Sequence, residues 1–475
     1  MVEPLVLFTV FRMSISGFTA SFGLIWFVYL WKLYLNYRQY KKIQFVSKIP
    51  EEFSRIMSEE DFTKSKAYAL DQSLFLFVRC IYCLILKSCI MYFDIIPWLW
   101  NISQRQSKPG VDLSIHEDTT VNISPLLMYS TIFCIFVTLP WGLYSNCVIK
   151  IRYGLNKPTL SFIKGKIVKF TLGMILSYPL ISIIMWIYTV AGTNAFIYAF
   201  IFILLVSIFV DFAFSTPAFR QSEPLPQGKL RRQIESLAIS ISFPLKDVLI
   251  VRDCKKVARN IVYHCGFGKH KQILLDDAFF RGFKLLGDHG ETNNLQDSDG
   301  TVAPIRGYST NEIVSVIAQK LGHWELNHSI KHFIIGQCQI FLNIFIFSTF
   351  MNKKSIHSYF GFSDSVPNVL KACVIFECLS LPYNAVFDFF KNVLNRRLVF
   401  QEDHFAVTLN YGSYLRNALV CIDKDKLTFP VCDRLYSMFN HSRPPTLERL
   451  RAIDASLSKK KINFFFVLIL HLINV

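Results

Sequence analysis

Two short segments hold residues suited to metal or acid–base chemistry. The first reads Ala318-Gln-Lys-Leu-Gly-His-Trp-Glu-Leu-Asn-His328, the second Arg396-Arg-Leu-Val-Phe-Gln-Glu-Asp-His404. Imidazole nitrogens and carboxylates are ligands for zinc, and a free carboxylate beside them can take a proton from water. On one continuous helix His328 would lie about 140° round from His323 and point elsewhere. His323 then reads as a polar residue on a packed helix, and Glu325 as exposed helix surface. Glu402 follows Val399 by about 60° of rotation and ~4.5 Å of rise, so it is a possible substitute ligand beside that position.

The elements that must position these segments are membrane helices. Of 475 residues, 52% are hydrophobic and 45 are Phe. Charged residues make up 18%, below the ~25% of soluble proteins. Mean hydropathy is +0.34. Seven apolar segments approach or exceed the ~20 residues a helix needs to span the hydrocarbon core. They are Met13 to Trp31, Ser73 to Trp100, Pro125 to Ile149, Phe170 to Gly192, Ala195 to Val210, Phe333 to Met351 and Val366 to Phe390. The second carries Arg79, Lys87 and Asp94 within about 80° of one another, and the seventh carries Glu377 and Asp388, again nearly aligned. Intramembrane charges are costly and usually face a bundle interior or a water-filled cavity, so these five are assigned to a cavity.

The net charge of +17 reflects basic loops of one membrane side, not nucleic-acid binding. Arg38, Lys41, Lys42, Lys48, Arg55, Lys64 and Lys66 fill one loop, and Lys150, Arg152, Lys157, Lys164, Lys166 and Lys169 another. The positive-inside rule then puts the N-terminus in a lumen and the C-terminal region in the cytosol. Sequons at Asn101 and Asn122 fall on the lumenal side. The expected organisation is residues 1–210 with helices one to five, and 211–332 as a cytosolic block. Helices six and seven follow in 333–390, then a helical cytosolic block in 391–461 and an apolar tail in 462–475. Short strands are expected at Val248 to Val251 and Ile273 to Leu275, a polar loop at Gly287 to Gly307, and one helix from Asn311 to Gln339. The tail is too short to span a bilayer. Cys80 and Cys83, a C-x-x-C inside a membrane segment, read as packing.

Motifs along nearly the whole chain resemble the type I CAAX prenyl protease family of integral-membrane zinc endopeptidases. They include Tyr37-Arg-Gln-Tyr40, Asp61-Phe-Thr-Lys-Ser-Lys-Ala-Tyr-Ala-Leu-Asp71, Leu139-Pro-Trp141 and Tyr153-Gly-Leu-Asn-Lys157. Pro224-Leu-Pro-Gln-Gly228, Leu321-Gly-His-Trp324, Pro382-Tyr-Asn384, Asn395-Arg-Arg397 and Pro444-Pro-Thr-Leu-Glu-Arg-Leu450 complete the match. The resemblance implies an all-α polytopic fold with seven transmembrane helices forming a hollow barrel. It also implies a cytosolic α-rich metalloprotease-like domain with a few short strands, an endoplasmic reticulum membrane location, and prenylated C-termini as partners.

The same resemblance implies a zinc helix reading H-E-x-x-H. The third ligand, a Glu, lies in R-R-x-E-x-Q-x-D. Aligned on Leu321-Gly-His-Trp324, Gln319 stands at the first His, Lys320 at the catalytic Glu, and Val399 at the third ligand. His323 alone remains as a family ligand, and Asp403 remains as the carboxylate behind it. Arg443 replaces the His before the Pro-Pro pair, with His441 two residues earlier, and Ile261-Val262 replace an Asn-Ala, with Asn260 one residue early. Gln319 is a weak ligand, Val399 offers no lone pair, and a charged Lys320 cannot act as base. No catalytic residue is expected, and zinc is expected to bind weakly or not at all. A silent relative that binds prenylated or membrane partners is the leading reading. The alternatives are an active zinc endopeptidase with a rebuilt site and a regulatory subunit of an active paralogue.

Overall fold

A computed structural model describes residues 15–93, 119–155, 159–214, 222–251, 262–266, 271–280, 308–352 and 368–473, together with 95, 98, 99 and 102. Asp94, Asn101, Asn260, Ile261 and the polar loop at 287–307 lie outside them. By internal contacts the chain divides into two units. One comprises 1–41, 70–208 and 333–390, the other 42–69, 209–332 and 391–475.

The first unit contains most of α1 (Ile15–Phe45) and α2 (Glu59–Tyr92), then α3 (Thr119–Leu143), α4 (Thr159–Val190) and α5 (Ala195–Phe214). Among the described residues five helices are long and apolar enough to cross a membrane: Glu59–Tyr92, Met128–Arg152, Phe162–Tyr188, Ala195–Phe212 and His328–Met351. Their outward surfaces carry large apolar side chains such as Phe136, Ile175, Trp186 and Phe209. Water would not tolerate so much contiguous apolar surface, whereas lipid does. The remaining two expected spans lie in α1 and in α9 (Asn368–Thr408). Polar Lys371, Glu377 and Asp388 interrupt the apolar part of α9. Arg79 is exposed, Lys87 and Asp388 are half-buried, and Asn122 lies in α3. Two of the family-like motifs meet here: Asp71 accepts from Arg152 and from the Tyr153 hydroxyl, each at 2.9 Å. Cys80 packs with Ile25, Tyr29 and Leu84, and Cys83 lies against that cluster, both as free thiols.

The second unit is built on β1 (Ser222–Pro224), α6 (Lys229–Ser240), β2 (Leu245–Val251), β3 (Val262–Cys265) and β4 (Lys271–Asp276). Both expected strands form, as β2 and β4, and pair in parallel with Val248 opposite Ile273. The four described strands run β1-β2-β4-β3, with β1 and β3 antiparallel to their neighbours. Val248 and Ile250 alternate inward, as one covered face requires, whereas Ile273, Leu274 and Leu275 are all buried.

The second unit also contains α7 (Thr310–Glu325), the first turn of α8 (His328–Asn352), the C-terminal part of α9, α10 (Gly412–Asp425), α11 (Arg434–Asn440) and α12 (Thr446–Ile473). Helix α7 starts at a capping box: the Ser309 hydroxyl accepts from the Glu312 amide, and the Glu312 carboxylate accepts from the Ser309 amide. Ile313, Ile317 and Leu321 are fully buried along it. A Cβ on Gly322 would stand 2.9 Å from Phe405 Cδ1, so α7 and α9 approach as closely as they do only because residue 322 is glycine.

The single helix expected from Asn311 to Gln339 is two helices. After Glu325 the chain turns through Asn327, whose φ of 53° is left-handed, and α8 begins at His328. Asparagine tolerates that conformation and ends helices at this position. Helix α12 continues without a break past Lys461 to Ile473, taking the apolar tail as its last turns.

Candidate metal-motif site

The break at Asn327 changes what His328 can reach. Re-aimed by the turn, its ring is fully buried and its Nδ1 lies 3.3 Å from Glu402 Oε1. The expectation that His328 points elsewhere assumed a continuous helix, and the structure corrects it. Its Nε2 lies 3.2 Å from Gln401 Oε1. The Nδ1 of His323 meets the same Glu402 oxygen at 2.7 Å. Gln319 Nε2 donates to Glu402 Oε2 at 3.5 Å, and Lys320 Nζ stands 3.8 Å from that oxygen. Glu402, only 4% exposed, is thus the hub of the site. His332, absent from the sequence reading, stacks on His323 at 5.7 Å between centroids. Its i, i+4 spacing from His328 was the available signal.

The register of α9 is fixed from behind. Arg449 of α12 grips Asp403 with two hydrogen bonds, 2.8 and 2.7 Å, both residues being buried. Arg396 donates to Ser437 of α11 and to Glu448 of α12. These pairs set which face of α9 meets α7, and so place Val399 and Glu402 at the site. His404, two residues after Glu402, is exposed, as is Glu325.

A cavity of about 260 Å³ opens over this cluster. Its lining includes Lys320, His323, Val399, Glu402 and Arg443, with Val262 at the start of β3. His441 lies elsewhere, its ring edge-on to Tyr436. Asn395 also lines the cavity, and its buried Oδ1 has no hydrogen-bond partner.

Charge in the site is lopsided. Burial alone would raise the Glu402 carboxyl, but the His323 hydrogen bond, the Lys320 charge and His328 outweigh it and hold it down to about 2. Burial and the neighbouring Arg443 push Lys320 down to about 8, and Glu402 offsets this only in part. The two shifts differ because Glu402 gathers several donors, whereas Lys320 exchanges its hydration for one carboxylate at 3.8 Å.

Gln319, His323 and Val399, which the resemblance aligns with the three ligand positions, do not fit a zinc ion as a set. Val399 is aliphatic, and the Gln319 amide nitrogen is turned toward Glu402. A different donor set does exist among the described residues: ligand atoms of His323, His328 and Glu402 all lie within 4.8 Å of one another.

Comparison with known proteins agrees with the motifs. Residues 39–220 match a family described as CAAX prenyl protease N-terminal, five membrane helices, and residues 224–457 match Peptidase family M48. The CAAX prenyl protease 1 homolog of Taenia solium is 37% identical over 460 residues, covering 94% of this chain and 98% of that one. The Homo sapiens homolog is 36% identical, covering 90% and 93%. The crystal structure of S. mikatae Ste24p superposes with a TM-score of 0.76 at 25% identity, covering 93% of this chain and all of that one. With similarity extending over both units, this multi-pass membrane chain belongs to the CAAX prenyl protease 1 family of M48 peptidases.

Proposed function

We propose that this chain is a catalytically silent member of its family that binds prenylated or membrane partners without cutting them. One observation carries the reading: Lys320, which the resemblance aligns with the family's base, faces the Glu402 carboxylate at 3.8 Å. An ammonium accepts no proton from water, and beside a divalent ion it is repelled by roughly 4 kcal/mol per unit of metal charge at 4 Å and an effective dielectric of 20. The scaffold motifs around it persist, and Arg449 clasps Asp403 beside it. On this reading the seven apolar segments form a hollow barrel in the endoplasmic reticulum membrane, N-terminus lumenal and site cytosolic. Arg79, Lys87, Asp94, Glu377 and Asp388 face its hydrated interior.

The test pairs zinc content of detergent-purified, chelator-washed protein with cleavage of a farnesylated CAAX peptide. Zinc near zero and no cleavage are expected. One zinc per chain with cleavage that His323→Ala abolishes would overturn the proposal.

A second reading is supported by the displaced donor set. His323, His328 and Glu402 have the His2Glu composition of many catalytic zinc sites. A metal held there would polarise a bound carbonyl. In this chain Glu402 would have to be released from Lys320, and the base would have to be supplied anew. Zinc that is lost in Glu402→Gln but kept in Gln319→Ala would favour this reading.

A further inference from the structure

We propose that the cavity beside Glu402 is a carboxylate-binding site that takes the free C-terminus of a peptide, with Lys320 and Arg443 as its cationic walls and Asn395 as its amide acceptor. The inference rests on the reading that this chain binds prenylated C-termini, and it names the end group that is read.

Three observations converge on that end group. First, two cations and one carboxylate line the cavity: Lys320 and Arg443 against Glu402. Asp403, the next residue along α9, is consumed by Arg449 through both of its oxygens. The count is +2 − 1 = +1, which a monoanion balances and a neutral group does not. Second, Arg443 is exposed and makes no side-chain hydrogen bond or ion pair among the described residues, so its guanidinium fork is open to a planar carboxylate. Third, the buried Oδ1 of Asn395 lacks a donor. A buried acceptor without a partner is costly, and a ligand N–H in the cavity would satisfy it.

A carboxylate with an N–H beside it is the terminal residue of a peptide. Phosphate and sulfate offer no N–H to Asn395 at neutral pH, and an internal peptide segment offers no charge to Lys320 and Arg443. Hydrolysis of an amide adds water across the C–N bond and leaves one carboxylate and one amine. That end group is shared by an uncleaved C-terminus and by what a cutting relative releases on its acyl side.

The test uses full-length protein in detergent and three labelled peptides ending in farnesyl-cysteine, alike except for a free acid, a methyl ester or a carboxamide at the C-terminus. Polarisation titrations should show the acid binding about tenfold or more tighter than the other two, the scale of a charge-assisted bond. Arg443→Gln and Lys320→Gln should each shrink that preference, while Arg443→Lys keeps part of it. Thermal melts of each variant establish that it is folded, and the comparison of the three peptides on the unaltered chain needs no variant. Equal binding of acid, ester and amide would overturn the carboxylate site and leave partner binding standing. No binding of any of the three would overturn both.

Discussion

His323 Nδ1 lies 2.7 Å from Glu402 Oε1, so the histidine of the Leu321-Gly-His-Trp324 segment is held by a carboxylate of this chain. The same oxygen receives His328, and its mate faces Lys320. Glu402 does by hydrogen bonds what a metal does by coordination: it gathers the polar side chains of α7, α8 and α9 at one point.

Removing that point should cost stability. Glu402→Ala leaves the Lys320 ammonium and two imidazoles without their common acceptor, a loss of about 3 kcal/mol on the scale of broken buried pairs. Glu402→Gln keeps an acceptor but loses the charge, and should fall between. Thermal melts of detergent-solubilised protein would rank the three. Equal midpoints would show that the cluster does not hold the fold.

Restoring the family residues should restore the metal before it restores chemistry. The triple variant Gln319→His, Lys320→Glu, Val399→Glu returns two ligands and a base to positions flanking His323. Zinc should rise from near zero toward one per chain by elemental analysis. Cleavage of a farnesylated peptide should follow only if Glu402 does not compete for the metal, which adding Glu402→Ala would decide.

Asp423 on α10 makes stability pH-dependent. Burial pushes its carboxyl up to about 6, against the opposing pulls of Thr446, Arg449 and Lys426, and its Oδ2 has no hydrogen-bond partner. The folded form therefore holds a proton that the unfolded chain has released. Its contribution is full below the ordinary aspartate range and is lost as pH rises through about 6. Asp423→Asn should raise stability at pH 7.5 by about 2 kcal/mol and make little difference near pH 4. A gap between variant and parent that does not narrow on acidification would contradict this.

The Arg449–Asp403 clasp should behave as a buried pair. Arg449→Met strands Asp403 in an apolar setting at a cost of about 3–5 kcal/mol, whereas the double change with Asp403→Leu should cost less than the single one. A double-mutant cycle of denaturation midpoints measures the coupling. If the two changes simply add, the pair is not what fixes α9.

Sequence alone determined the membrane character and the family, because these rest on residue type and local order. Long uncharged runs demand lipid wherever they fold, and valine at position 399 lacks a lone pair in any structure. The strands at β2 and β4 were legible for the same reason, as short apolar runs. Only the tertiary structure decided where Glu402, His328 and Asn395 stand. His328 reaches Glu402 across 74 residues of chain because a left-handed Asn327 ends α7 and re-aims the next helix. The Asn was visible in the sequence, but the apolar pattern on both sides read as one helix and masked it. Contacts between α7 and α9 depend further on Gly322, beside His323, and on Arg449, which is distant in sequence from both histidines. Helical periodicity fixes what lies on one face of one helix. It cannot say which faces of two helices meet, and at this site that meeting sets the charge.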